Sequence, residues 1–145
     1  MKFSKKSRYG IRALICLALG DENERVALST IAEKSEVSMQ YLEQIFAALR
    51  RAGIVRSVKG SQGGYLLNDA PENITVADIV KALDGSYLVE NELTDGQHDA
   101  VSETIQRLII DSINKKIEAV LKSLTLADLA QECLSRGRQE YMYFI

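Results

Sequence analysis

The sequence predicts a mainly α-helical fold carrying one small β-hairpin and, near its end, a long helix followed by a last shorter one. Three observations support this. Apolar residues recur at helical spacing through most of the chain. Two short strand-like runs, "IVRSVKG" and "GYLLND", flank a cluster of glycines, Gly60, Gly63 and Gly64. A stretch near residues 101–122 keeps its helical periodicity for about 33 Å at 1.5 Å per residue.

The first helix is read in "SRYGIRALICLALG". Ile11, Leu14, Ile15, Ala18 and Leu19 form its apolar stripe, and Gly20 stops it. "DENER" is a polar loop. "LSTIAEKSEVSMQYLEQIFAALRRAG" reads as two helices with a tight break of about three residues. Ser29 is the expected cap of the first, which runs to about Lys34. Ser38 is the expected cap of the second, which ends at Gly53 and carries Leu42, Ile45, Phe46 and Leu49 on one face. The hairpin follows, and the only proline, Pro71, lies in the loop after it. "TVADIVKALDG" is a short helix with a capping box from Thr75 to Asp78 and a stop at Gly85. Residues 86–100 are acidic and weakly periodic, hence a loop. The long helix places Ile105, Leu108, Ile109, Ile113, Ile117, Val120 and Leu121 on one stripe. A second capping box, Thr125 to Asp128, opens a last helix near "LADLAQECLS".

The chain has 145 residues, 46% of them apolar and 26% charged, the composition of a globular protein with a core of its own. No apolar run approaches the roughly 20 residues that span a bilayer, so no membrane association is expected. The basic N-terminus leads into an apolar stretch broken by Arg12, a structured helix and not a signal peptide. Cys16 and Cys133 lie far apart with no CxxC spacing, which fits a reducing cytoplasm. Charge is segregated. Met1 to Leu67 carries 11 Lys/Arg against 6 Asp/Glu, and Asn68 to Ile145 carries 7 against 14. A basic first half suggests a polyanion-binding face on that part alone.

The paired helices fit a helix-turn-helix. Ile31, Ala32, Val37, Leu42 and Ile45 sit where two helices would pack at a steep angle, with Glu36 at a turn position where glycine is frequent. Many αα-hairpins share this spacing. The hairpin after them makes the combination a winged helix-turn-helix. Its second helix would turn Ser38, Gln40, Glu43 and Gln44 toward a DNA major groove. Glutamine can both donate to and accept from adenine; glutamate can accept from cytosine N4. Gly60, Gly63 and Gly64 would let the wing tip turn tightly against DNA, and Lys59 would reach a phosphate or the minor-groove floor. Arg50, Arg51 and Arg56 add charge nearby. A nucleotide-binding phosphate loop is the competing reading. It lacks the G-K-[ST] signature, and a strand instead of a helix follows the glycines.

Taken together, "SKKSRYGIRAL", "VSMQYLEQIFAALRRAGIVRSVKGSQGGYLL" and "ITVADIVKALDG" resemble the Rrf-two family of bacterial winged-helix repressors over nearly the whole chain. The nearest resemblance is to the branch that represses cysteine metabolism. It implies a DNA-binding unit over residues 1–85. Residues 86–145 would form an acidic loop, a dimerisation helix and a C-terminal helix with a tail. By matching positions, Ser38, Gln40, Glu43 and Gln44 would face bases, and Lys59 would enter the minor groove. Arg8 and Tyr9 would contact phosphates. Ser7 stands where many members have glycine, a departure at the first phosphate contact. The implied partners are a palindromic double-stranded operator and a second copy of the chain, paired through Ile105, Leu108, Ile109, Ile113, Ile117 and Val120. The alternative is that this helix folds back on its own domain.

Cluster-binding members carry three cysteines in the loop before the long helix. This chain has none there, only His98. Thiolates hold iron–sulfur clusters, so no cofactor, no metal and no catalytic constellation are expected. A signal through thiol oxidation at Cys133 is an alternative, as is a module that regulates an enzyme by protein contact. The tail "EYMYFI" either packs on the last helix or serves as a docking segment. In the cysteine branch a similar tail ends in isoleucine and the partner is cysteine synthase. The resemblance thus implies that Tyr143, Phe144 and Ile145 dock into that enzyme.

Overall fold

The computed structural model describes residues 3–21, 23–60, 63–93, 96 and 98–143. Its elements in order are α1 (Lys5–Leu19), α2 (Leu28–Ser35), α3 (Met39–Arg51), β1 (Val55–Val58), β2 (Gly64–Leu67), a 3-10 turn (Pro71–Asn73) and α4 (Val76–Asp84). After these come α5 (Ala100–Ile105), a wide turn (Gln106–Ile110), α6 (Asp111–Ser123) and α7 (Leu126–Tyr143). The last helix extends well past the stretch that the periodicity predicts. The fold is that of a winged helix-turn-helix.

Local chemistry explains most boundaries. Ser4 caps α1 by accepting from the Ser7 amide at 3.1 Å. Ser38 caps α3 by accepting from the Tyr41 amide at 3.3 Å. Both capping boxes are formed: Thr75 with Asp78 and Thr125 with Asp128, each exchanging hydrogen bonds of 3.0 and 3.1 Å. The expected cap at Ser29 is not used. The chain enters α2 at Ala27, which makes no side-chain cap. The adjacent Val26 is already held by a backbone pair with Tyr65, so the turn into the helix comes early.

The turn between α2 and α3 passes through Glu36 at φ 59° and ψ 36°, a left-handed conformation. Here the Val37 amide donates back to the Ala32 carbonyl at 3.2 Å. The geometry is the one that favours glycine, and the chain adopts it with a side chain in place.

Two clusters form the core. In the first, Ala13 and Leu14 of α1 meet Ile31 of α2 and Leu42, Ile45, Phe46 and Leu49 of α3, all fully buried. The second joins Val76, Ala77 and Val80 of α4 to Tyr87, with Ile117 and Leu121 of α6 and Leu129 of α7 packed against it. At the first cluster's edge, α1 and α4 are tied by Asp84. Its carboxylate accepts from the Ser4 amide at 3.2 Å, from the Ser7 hydroxyl at 2.6 Å and from the Ser4 hydroxyl. Ser7 is therefore fully buried and directed inward. That accounts for the departure from glycine: the hydroxyl serves an internal carboxylate. An anion at the α1 N-terminus also suits the helix dipole.

The long helix is not one uniform α-helix. Between α5 and α6 the Asp111 amide donates five residues back, to the Gln106 carbonyl. That turn holds an extra residue and rotates α6 relative to α5. The expected single stripe is also split within α6 itself. Ile117 and Leu121 face their own domain, and Ile110 is buried. Leu108, Ile109, Ile113 and Val120 stay exposed at 72%, 53%, 42% and 56%, while Ile105 is half-buried.

Replacing Glu36 by glycine should relieve the left-handed strain and stabilise the fold by about 1 kcal/mol. The check is a rise in the denaturant midpoint at unchanged slope and fixed protein concentration.

Candidate nucleic-acid interface

The first turns of α3 carry Ser38, Gln40, Glu43 and Gln44, all exposed, while Leu42 and Ile45 between them are fully buried. This follows from helical spacing: once the apolar residues have filled the core, the polar ones face out. Two aromatic contacts hold this helix in place. Tyr9 of α1 meets Tyr41 edge-on at 5.5 Å between ring centroids, and Phe46 of α3 meets Tyr65 of β2 at 4.8 Å. Tyr9 is half-buried by its contact. Arg8 is exposed. It donates to the Phe3 carbonyl at 3.2 Å and lies over the Phe3 ring.

β1 and β2 pair antiparallel from Val55–Leu67 to Val58–Gly64. Lys59, Gly60 and Gly63 lie in the connection and are exposed; Gly60 has φ 145°. Gly64 is needed for a reason the sequence does not reveal. A Cβ there would stand 2.7 Å from the Val26 carbonyl oxygen. The space belongs to the protein's own backbone, because Val26 pairs with Tyr65 through hydrogen bonds of 3.0 and 2.9 Å. Val26 thus forms a single antiparallel bridge to the wing's second strand. It also carries Arg25 to the wing's flank, a cation absent from the sequence-based site. Nothing in the polar run "DENER" distinguishes it, since its position depends on a pairing 39 residues away in sequence.

Arg50 and Arg51 end α3 and are exposed, as is Arg56 on β1. The ion pairs among the described residues are Glu118–Lys122 and Glu132–Arg136, both in the acidic half. The cations of α1, α3 and the wing are therefore free of carboxylate partners among the described residues, as a polyanion-binding surface requires.

A family model described as "Iron-dependent Transcriptional regulator", Rrf2, matches residues 3–132. The chain belongs to the Rrf2 family. Over its whole length it is 38% identical to the whole of the HTH-type transcriptional regulator CymR of Bacillus subtilis strain 168. The solved structure of CymR, "the Global Cysteine Regulator of B. subtilis", superposes with a TM-score of 0.77 at 35% identity, covering 91% of this chain and 98% of that one. T. potens IscR superposes with a TM-score of 0.71 at 38% identity, covering 92% and 88%. This member of the Rrf2 family is a helix-turn-helix transcriptional regulator.

The family description names iron, and the donor set of this member does not suit an iron–sulfur cluster. The loop before α5 has no cysteine, Cys16 lies in α1 and Cys133 in α7, and His98 is exposed. No group of three or more His, Cys, Asp or Glu side chains among the described residues is arranged to hold a metal ion. The loop is instead fastened by amides. Buried Gln106 accepts from the Glu92 and Leu93 amides at 2.7 and 3.4 Å and donates to Asn91 and Asp111 at 3.1 and 2.8 Å. Asn114 pairs with both backbone groups of Val89, at 2.7 and 3.1 Å.

Burial pushes the Cys16 thiol above its ordinary pKa; Lys34 and Arg12 oppose this and Cys133 adds to it. Less thiolate at neutral pH makes Cys16 a poor nucleophile, while Cys133 is exposed. No helix among the described residues is long and apolar enough to cross a membrane. Phe144 and Ile145 of the expected docking tail lie outside the described residues, and Tyr143 is the last residue of α7.

Proposed function

We propose that this Rrf2 regulator is a cytoplasmic homodimeric repressor of cysteine or sulfur metabolism that binds a palindromic operator without a cofactor. Residues 1–85 form the DNA-binding unit and residues 86–145 the assembly unit. One observation carries the reading. The outward polar face of α3 and the cationic wing belong to one buried scaffold, through Phe46 and Tyr65. Gln40, Glu43, Gln44 and Ser38 read base edges in the major groove. Lys59 enters the adjacent minor groove, with Gly60, Gly63 and Gly64 keeping the tip narrow. Arg8, Tyr9 and Arg50 hold phosphates. The cysteine regulon is supported by the likeness to CymR.

Gln44→Ala should relax preference at one base position by roughly 1–3 kcal/mol. Lys59→Ala should weaken binding and lower the salt slope by about one contact. Titrations of both variants at several salt concentrations check this. Parental binding by the Lys59 variant would remove the wing from the interface.

The exposed Leu108, Ile109, Ile113 and Val120 support pairing of two copies, with Ile105 at the margin and Ile117 committed to its own domain. Twofold pairing would present two α3 helices to two half-sites. Sedimentation at micromolar concentration should give a dimer, and Ile109→Glu combined with Val120→Glu a monomer. A monomeric parent would refute the pairing.

Docking of Tyr143, Phe144 and Ile145 on cysteine synthase belongs to the same proposal. It would let a metabolite release the repressor through that enzyme. Calorimetric titration of cysteine synthase should show binding by the full chain and not by a chain lacking Phe144 and Ile145. Equal heats from both would rule the docking out.

A further inference from the structure

Arg25 sits in the connection between α1 and α2, yet it is built into the wing. The residue after it, Val26, donates to the Tyr65 carbonyl at 3.0 Å and accepts from the Tyr65 amide at 2.9 Å. The gap left by Gly64 lets this segment approach, since any Cβ would meet the Val26 carbonyl. The backbone at Arg25 is thereby tied to β2. Its side chain runs along the wing, with Nη1 4.0 Å from the place a Gly60 Cβ would occupy. Gly60 directly follows Lys59, so the guanidinium lies beside the connection that carries that lysine.

Among the described residues no carboxylate holds that guanidinium. Arg25 is exposed, and Asp21 and Glu24 on the same loop make no ion pair with it. Nη1 lies beside Gly60, which has no side chain to crowd an approaching phosphate. A guanidinium is a planar fork matched to two oxygens of one phosphate, and its stem is held close to its working position by the Val26 pairing. Little ordering entropy remains to be lost on binding.

We propose that Arg25 is a DNA-contacting residue of the wing, gripping a backbone phosphate on the flank of the groove that Lys59 enters. The inference rests on the DNA-binding reading of the wing and goes beyond it. The wing's cationic surface is then composite, with one cation supplied by the loop before the helix-turn-helix. Flank contact, as distinct from base reading, is inferred from the Val26 pairing, which ties the backbone next to Arg25 to the side of β2. Such a contact strengthens binding to every sequence alike.

The test uses the full-length protein, an operator fragment selected from genomic DNA and a scrambled duplex of equal length. Arg25→Ala, Arg25→Gln, Arg25→Lys and Lys59→Ala are compared with the parent by fluorescence anisotropy. Arg25→Ala and Arg25→Gln should weaken both duplexes by the same factor. The salt slope should fall by about 0.9, so that their deficit shrinks about 3.5-fold between 50 and 200 mM salt. Arg25→Lys should keep the parental slope with an affinity between parent and Ala. The uncharged Gln variant guards against a folding defect in the Ala variant. Parental binding by the Ala and Gln variants, with Lys59→Ala impaired, would overturn the role of Arg25 alone. Parental binding by Lys59→Ala as well would instead overturn the wing's part in the interface. A loss confined to the operator would make Arg25 a base reader and overturn the phosphate contact.

Discussion

Tyr65 is the residue on which the recognition surface depends. Its ring tilts against Phe46 of α3, and its backbone exchanges two hydrogen bonds with Val26. One residue of β2 therefore joins the recognition helix, the wing and the loop before α2. Burial of Phe46 is worth roughly 2–3 kcal/mol, and the aromatic pair adds about 0.5–1.5 kcal/mol. Those terms fix the position of the wing relative to α3. Gly64 serves the same joint, since it is the only residue type that leaves Val26 room to pair.

The acidic half solves a different problem. The loop that begins at Ser86 is anchored at its start by Tyr87 and Leu88, and its later residues are mostly polar. Gln106 and Asn114 supply the missing partners, mimicking the edge of a strand for Val89, Glu92 and Leu93. A buried amide with all its groups paired is specific in geometry, because any displacement leaves a buried donor or acceptor unsatisfied at about 1–3 kcal/mol. Gln106 also bonds Asp111 across the wide turn, so loop anchoring and the change of helix register share one side chain.

Charge is divided along the same line. Among the described residues the winged half holds its excess of Lys and Arg without carboxylate partners, and the ion pairs lie in α6 and α7. Unpaired surface cations cost the folded state little in water and are available to release counterions from a phosphate backbone. An acidic surface repels a phosphate backbone, so the segregated charge favours approach of a polyanion to the winged half.

The helices, hairpin, caps and outward face of α3 were legible in the sequence because each is set by neighbours within a few residues. Thr75 with Asp78, Thr125 with Asp128, and Leu42 between Gln40 and Glu43 are examples of period and capping acting locally. The family likeness was legible for the same reason, as it rests on contiguous motifs. Ser29 misled because a pairing to Tyr65 starts α2 earlier than its own residues suggest. Ile117 parts from Ile113 and Val120, its neighbours on α6, because the cluster around Val80 and Tyr87 covers that edge of the helix, and a fixed period cannot register that. Ser7, Gly64 and Arg25 owe their roles to Asp84, Val26 and Gly60, partners that are all distant in sequence and are brought near by packing or by a backbone pair. Local patterns of residues determined the elements and the chemistry they present. Only the tertiary structure decided which carboxylate a serine serves, which glycine is obligatory and which arginine joins the wing, because those depend on where distant backbones meet.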